Sequence, residues 1–243
     1  MAYETEAIVL RAIRYGEADS VLALYTLDHG RVSAIAKGAR KTGSRLGGRL
    51  QPGTRVLVTL HEGRGDLALV RGAQVVEPHA GIWVEGYRLR AAACVLESAL
   101  RVLGEREANA GAYNLIARTL ALIAAAPRRT TPPRLDPLVL GAQCKLLIVA
   151  GLFPELGVCV TCGAPGPLVG FSAHSGGALC PDCSPAGEPL PPEVRNALAG
   201  LVGRPLAEAA EACPPGAGAG VERVVGLVLR EHLGVVLRSA APL

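Results

Sequence analysis

Residues 20–38 read SVLALYTLDHGRVSAIAKG. Two short runs rich in Val, Leu, Ile and Ala flank Asp28-His29-Gly30, a turn-forming triplet, and this pattern predicts a β-hairpin. Working outward, TEAIVLRAI (5–13) precedes the hairpin, and TRVLVTLH (54–61) and DLALVRGAQVVE (66–77) follow it. Gly16, Pro52-Gly53 and Gly63–Gly65 punctuate these runs, and Arg64-Gly65-Asp66 is read as a turn. Five short strands of this kind predict a small closed or nearly closed barrel.

After about Pro78 the character changes. Residues 85–103, 112–126 and 137–152 are rich in Ala and Leu and long enough for helices. Pro127–Pro133 (PRRTTPP) breaks the second from the third. Further helices are expected over 191–202, 205–213 and 221–239, with PPGAGAG (214–220) as a flexible connection. The fold class is therefore α+β and multidomain: a five-stranded barrel over 1–80, then a helical region over 81–243 interrupted by a cysteine-bearing insertion at 157–186.

The chain has 243 residues and a formal net charge of +4, and half of its residues are apolar. A sizeable core is possible, and disorder is not expected. The charge is uneven. Residues 1–80 carry eleven Lys/Arg against eight Asp/Glu, and the remainder fourteen against thirteen. Arg31–Gly53 holds Arg31, Lys37, Arg40, Lys41, Arg45 and Arg49 without one Asp or Glu. A local field of that sign attracts polyanions even on a nearly neutral protein. The segment could be a solvated loop, a phosphate-tracking surface or a nucleotide-binding loop. The last fails: Gly38–Gly43 has the opening spacing, but Ser44 and Arg45 stand where Lys and Ser/Thr are required. Small barrels often bind oligonucleotides, which favours the phosphate-tracking reading. Stacking aromatics are scarce, since Tyr3, Tyr15 and Tyr25 are the only ones in residues 1–80. Binding is therefore expected to be dominated by phosphates, weakly selective for sequence and strongly dependent on salt.

Cys159-Val-Thr-Cys162 and Cys180-Pro-Asp-Cys183 form two C-x-x-C pairs in a glycine-containing segment. Each such turn presents two thiolates to one side of a metal, which predicts a four-cysteine Zn²⁺ site. Four thiolates leave no open position, so one structural zinc is expected. His174 lies between the pairs and is read as a solvent-facing loop residue. Cys94, Cys144 and Cys213 are read as small apolar residues of helices. The odd cysteine total argues against a disulfide framework.

No catalytic constellation is present: there is no H-E-x-x-H, no G-x-S-x-G, and no H-x-E upstream of Pro181. The expectation is a protein that is not an enzyme. The N-terminus lacks the features of a signal peptide and no apolar run is long enough to span a bilayer, so a cytoplasmic location is expected.

The residues also carry a resemblance. Arg14-Tyr-Gly-Glu-Ala-Asp19, His29–Arg40, Ser44-Arg-Leu46 and Leu50-Gln-Pro52 together resemble the N-terminal region of the RecO family of bacterial recombination and repair proteins. The order of barrel, helical body, four-cysteine insertion and final helices is similar to that family throughout. The resemblance implies an oligonucleotide/oligosaccharide-binding (OB) barrel, binding of single- and double-stranded DNA, and ATP-independent annealing of complementary strands. It further implies partnership with RecR and loading of RecA onto DNA coated by single-strand-binding protein. A nucleoid-associated place in the cytoplasm follows, with no membrane and no nucleotide. Zinc ligation is carried over onto Cys159, Cys162, Cys180 and Cys183. DNA binding is carried over onto Arg31, Lys37, Arg40, Lys41, Arg45 and Arg49, with Arg11, Arg14, Arg55 and Arg71 as further barrel-surface candidates. The alternatives are a zinc-ribbon scaffold or adaptor in transcription or translation, and a thiol oxidoreductase using the C-x-x-C pairs.

Overall fold

The computed structural model describes residues 1–63, 65–127, 131–185 and 187–239. Arg64 of the Arg-Gly-Asp tripeptide, residues 128–130 of the proline-bounded break and Ala186 of the insertion lie outside them. The chain divides into two compact units, Met1–Arg128 and Arg129–Leu243. The first unit therefore contains the barrel and two helices. The change of character near residue 80 marks where strands give way to helices, whereas the compact units part some fifty residues later.

Five strands build the first unit: β1 (Ala2–Tyr15), β2 (Asp19–Thr26), β3 (Gly30–Ala36), β4 (Arg55–His61) and β5 (Ala68–Glu77). Their order is β1-β2-β3-β5-β4, with β1 also paired to β4, so the sheet closes on itself. All pairings are antiparallel except the short contact of β3 with β5. Side chains alternate along each strand. Leu22, Leu24, Val32, Ala34, Val56, Val58, Leu60, Ala68 and Val70 fill the interior. The expected hairpin joins β2 to β3, with Thr26 opposite Gly30.

On the outside, α1 (Gly86–Val102) packs along β1 and α2 (Ala110–Ala125) packs on α1. Both begin where a side chain supplies a missing acceptor: Glu85 takes the Tyr87 N–H and Asn109 the Ala112 N–H. Tyr113 of α2 donates to Glu6 on β1 at 3.0 Å, and Arg55 pairs with the same carboxylate at 3.4 Å. Burial, followed by the hydrogen bond that its hydroxyl donates to Glu6, holds the Tyr113 phenol far above its ordinary ionisation range.

The second unit holds α3 (Pro137–Val149), the strands β6 (Gly170–Ser172), β7 (Gly177–Leu179) and β8 (Glu188–Pro189), and then α4 (Pro192–Gly203), α5 (Ala209–Ala212) and α6 (Gly218–Leu233). Asp136 caps α3 at the Leu138 N–H, with Pro137 in the first turn. One expectation fails here. The last three residues of PPGAGAG are not a flexible connection but the first turn of α6. Gly220 lies against Val194 so closely that any Cβ would overlap its side chain. The glycine serves helix packing rather than freedom of the chain. At its other end α6 stops at Gly234, in the left-handed region, short of the expected Ser239. Among the described residues no helix is long and apolar enough to cross a membrane.

Gly30 ends the hairpin turn with φ of 65°, and a Cβ there would collide with the Glu107 backbone. Gly30→Ala is expected to destabilise the first unit by ~2–4 kcal/mol, combining left-handed strain with overpacking. Gly48→Ala, in open space, should stay within ~0.5 kcal/mol. Denaturant unfolding of the two variants checks the contrast.

Candidate nucleic-acid interface and metal centre

The segment between β3 and β4 is a folded loop. Ala39 and Leu50 enter the barrel core and plug its end. Successive turns are closed by Lys41 N–H to Gly38 C=O, Ser44 N–H to Lys41 C=O and Arg49 N–H to Leu46 C=O, at 3.0–3.1 Å. Two bonds tie the loop to the β1–β2 turn. The Asp19 carboxylate accepts the Gly38 N–H at 2.7 Å, and Ala18 C=O accepts the Arg40 N–H at 2.8 Å. Beneath the loop lies a cleft of about 280 Å³ lined by Ala12, Ser20, Leu22, Ala39, Arg40 and Leu50.

The loop sorts the candidate cations. Lys37, Lys41 and Arg45 are exposed, and no ion pair engages them among the described residues. Arg40 and Arg49 each place one guanidinium nitrogen on a backbone oxygen, of Gly16 at 3.2 Å and of Ala73 at 2.8 Å. The rest of each planar fork remains available. Arg31 lies apart. It is the second residue of β3, at the far end from the loop; its side chain is 23% exposed and pairs with Glu105 at 3.4 Å. Arg55 is likewise committed, to Glu6. Arg11, Arg14 and Arg71 are exposed on β1 and β5. Of the three tyrosines, Tyr25 is buried, Tyr3 is half-buried against the His29 ring, and Tyr15 is 58% exposed.

The four cysteines of the second unit converge. Cys159 and Cys162 sit on a turn closed by the Gly163 N–H to Cys159 C=O. Cys180 and Cys183 sit on a 3-10 turn at the end of β7, closed by the Cys183 N–H to Cys180 C=O. A Val160 N–H bond to Ala178 C=O lays the first turn beside β7. All four Sγ atoms fall within 4.8 Å of one another. A tetrahedron with Zn–S near ~2.3 Å needs sulfurs about 3.8 Å apart, and Cys162 Sγ lies 3.7 Å from Cys180 Sγ. The donor set fits a closed four-thiolate site. His174 is not part of it. Its ring is exposed and pairs with Glu231 on α6 at 2.9 Å.

The family model for the N-terminal part of recombination protein O matches residues 1–79, and the model for its C-terminal part matches residues 85–241. The chain belongs to the RecO family. A curated relative, DNA repair protein RecO of Anaeromyxobacter sp. (strain Fw109-5), is 37% identical over 235 residues, covering 93% of this chain and 90% of its own length.

In this RecO-family chain the thiols do not ionise alike. N–H groups of Cys180, Cys162 and Thr161 surround the Cys159 sulfur and lower its pKa to about 6. Cys183, which shares its proton with the Cys180 thiol and faces the other sulfurs, is pushed up to about 12. A metal must displace the protons that the thiols of the metal-free cluster retain. Cys162, the exposed cysteine of the four, gives the cleanest deletion. The parent is expected to carry one zinc per chain by elemental analysis, and Cys162→Ala is expected to purify without it and to show increased protease cleavage within residues 159–183. The parent should hold its zinc at neutral pH and release it on acidification, as protons compete with the metal for the thiolates.

Proposed function

We propose that this protein is a DNA repair and recombination mediator that binds single- and double-stranded DNA and anneals complementary strands without ATP. Membership of the RecO family and the name of its curated relative support the repair role. The single observation that carries the mechanism is the loop: five cations, no acid, and a defined fold anchored on the end of a five-stranded barrel. We read that barrel as an OB fold, whose strand order and loops suit an extended strand. Lys37, Lys41 and Arg45 contact phosphates directly, Arg40 and Arg49 both brace the loop and contribute charge, and Arg11, Arg14 and Arg71 extend the surface. Arg31 and Arg55 contribute least, because Glu105 and Glu6 already neutralise them.

Two strands repel through their phosphates. A surface that neutralises several phosphates lowers that repulsion and raises the local strand concentration. It must leave base edges free, and flexible loop cations that track the backbone do so. The four cysteines hold one structural zinc that fixes the 159–183 segment and supplies no open coordination position for chemistry. RecR and single-strand-binding protein are the partners in this reading. With RecR, the protein helps load RecA onto DNA coated by single-strand-binding protein.

The test is annealing of two complementary strands precoated with single-strand-binding protein, without nucleotide, over a range of salt. Fast annealing that fades with salt is expected. Contact with about four to six phosphates gives a log–log slope of single-strand affinity near ~−3 to −4, and Lys41→Ala with Arg45→Ala should flatten it by ~1.4. A slope near zero removes the electrostatic mechanism. Absence of annealing with zinc bound points instead to a zinc-ribbon adaptor.

A further inference from the structure

The outer face of the barrel carries a second feature that the loop does not explain. Ile13, Val21, Ile35, Leu69 and His61 are neighbours in register across all five strands. Cross-strand partners share a face, so these residues form one continuous row on the outside. Ile13 is 44% exposed and Leu69, Val21, Ile35 and His61 are half-buried. Single apolar side chains on a surface need no explanation, but a contiguous row does. With strands ~4.8 Å apart, its first four members span about 14 Å.

The edges of this row are cationic. On one side Arg11 stands opposite Ala23, which faces Ser33. On the other, Tyr15 follows Ile13 by two residues and stands opposite Asp19. Lys37, one residue past the end of β3, and Arg71 on the parallel β5 follow Ile35 and Leu69 by two residues. Arg11, Lys37 and Arg71 are all exposed, and no ion pair engages them among the described residues. The acid within this group, Asp19, is bonded to the Gly38 N–H. Tyr15 is the exposed tyrosine of the barrel.

We propose that this face is a base platform for single-stranded nucleic acid: Tyr15 stacks on one base, the Ile13-Val21-Ile35-Leu69 row seats its neighbours, and Arg11, Lys37 and Arg71 hold the flanking phosphates. The inference rests on the DNA-binding reading above and adds a base-contacting subsite to it. A protein partner would also accept an apolar row. Three unpaired cations along its rim, continuous with the basic loop through Lys37, favour a polyanion with flat apolar groups. Contact through base faces leaves the pairing edges open, as annealing requires. It also favours unpaired strands over duplex, in which the faces are hidden in the stack.

The test compares an oligothymidylate with an abasic oligonucleotide of equal length. Tyr15→Ala is expected to weaken oligothymidylate binding on the order of 5- to 100-fold, with affinity for the abasic strand and the salt slope both unchanged. Tyr15→Phe should bind as the parent does. The loop pair Lys41→Ala and Arg45→Ala should weaken both ligands alike. In a Trp83→Phe background, Tyr15→Trp should report stacking directly, its emission quenched by the oligothymidylate but not by the abasic strand. If Tyr15→Ala binds both ligands like the parent, or the indole emission of the Tyr15→Trp variant ignores saturating oligothymidylate, the platform is wrong while the loop reading stands. If the parent binds neither ligand, the DNA-binding reading falls, and the platform with it.

Discussion

The barrel depends on one irregularity in β1. This strand must serve two neighbours: Ala2–Ile8 pair with β4, and Ala7–Tyr15 pair with β2. At the change-over the register slips by one, with Val9 opposite Leu24 but Arg11 opposite Ala23. Leu10 is the extra residue of a bulge. The backbone of Val9 is held there by two bonds, accepting the Gly53 N–H at 2.8 Å and donating to Thr54 C=O at 3.0 Å. Because side chains alternate with period two, one inserted residue exchanges the two faces for everything that follows. Ala7 and Val9 point into the core. Without the bulge Arg11, Ile13 and Tyr15 would point inward as well, and an arginine in that interior would have no counter-charge. With it, Ala12 takes the inner side opposite Leu22, and the arginine and tyrosine reach solvent. The place of Ala12 in the cleft under the loop and of Arg11, Ile13 and Tyr15 on the outer face follow from this exchange.

That exchange explains what could and could not be read from the chain. Strand positions, the Asp28–Gly30 hairpin and the helix starts are local properties, set by composition, turn residues and caps within a few positions. The bulge has no such local signature: TEAIVLRAI is nearly as regular on paper as a strand without one. Hence the sequence offers three equivalent tyrosines, and only the fold separates buried Tyr25 from exposed Tyr15. Arg31 is hidden in the same way. It sits in the acid-free segment by sequence, yet Glu105, more than seventy residues on, meets it in space. The acid-free run is a property of the chain and the electrostatic field a property of the surface, and they differ wherever a distant carboxylate folds back.

The cysteine segment was legible for a different reason. Tetrahedral ligation by two C-x-x-C turns is satisfied by short-range geometry, so spacing alone constrains it tightly. The convergence of the four sulfurs needed only the β6–β7 hairpin to bring the second turn beside the first. PPGAGAG shows the opposite case. Glycine there reads as freedom, but in α6 it permits close contact with Val194, and composition does not distinguish the two uses.

The loop's cations divide the work in a way that suits transient binding. Arg40 and Arg49 use part of their forks on the carbonyls of Gly16 and Ala73, which fixes the loop without removing its charge. Lys37, Lys41 and Arg45 keep their side chains free. A lysine ammonium on a flexible stem imposes little geometry on a phosphate, whereas an arginine fork held at both ends would impose much. A surface that must gather strands of any sequence and then release a duplex gains from charges that attract without locking. Here the rigid part of the loop is built from backbone bonds and two braced arginines; in the annealing reading proposed above, contacts fall to side chains that follow the DNA as pairing proceeds.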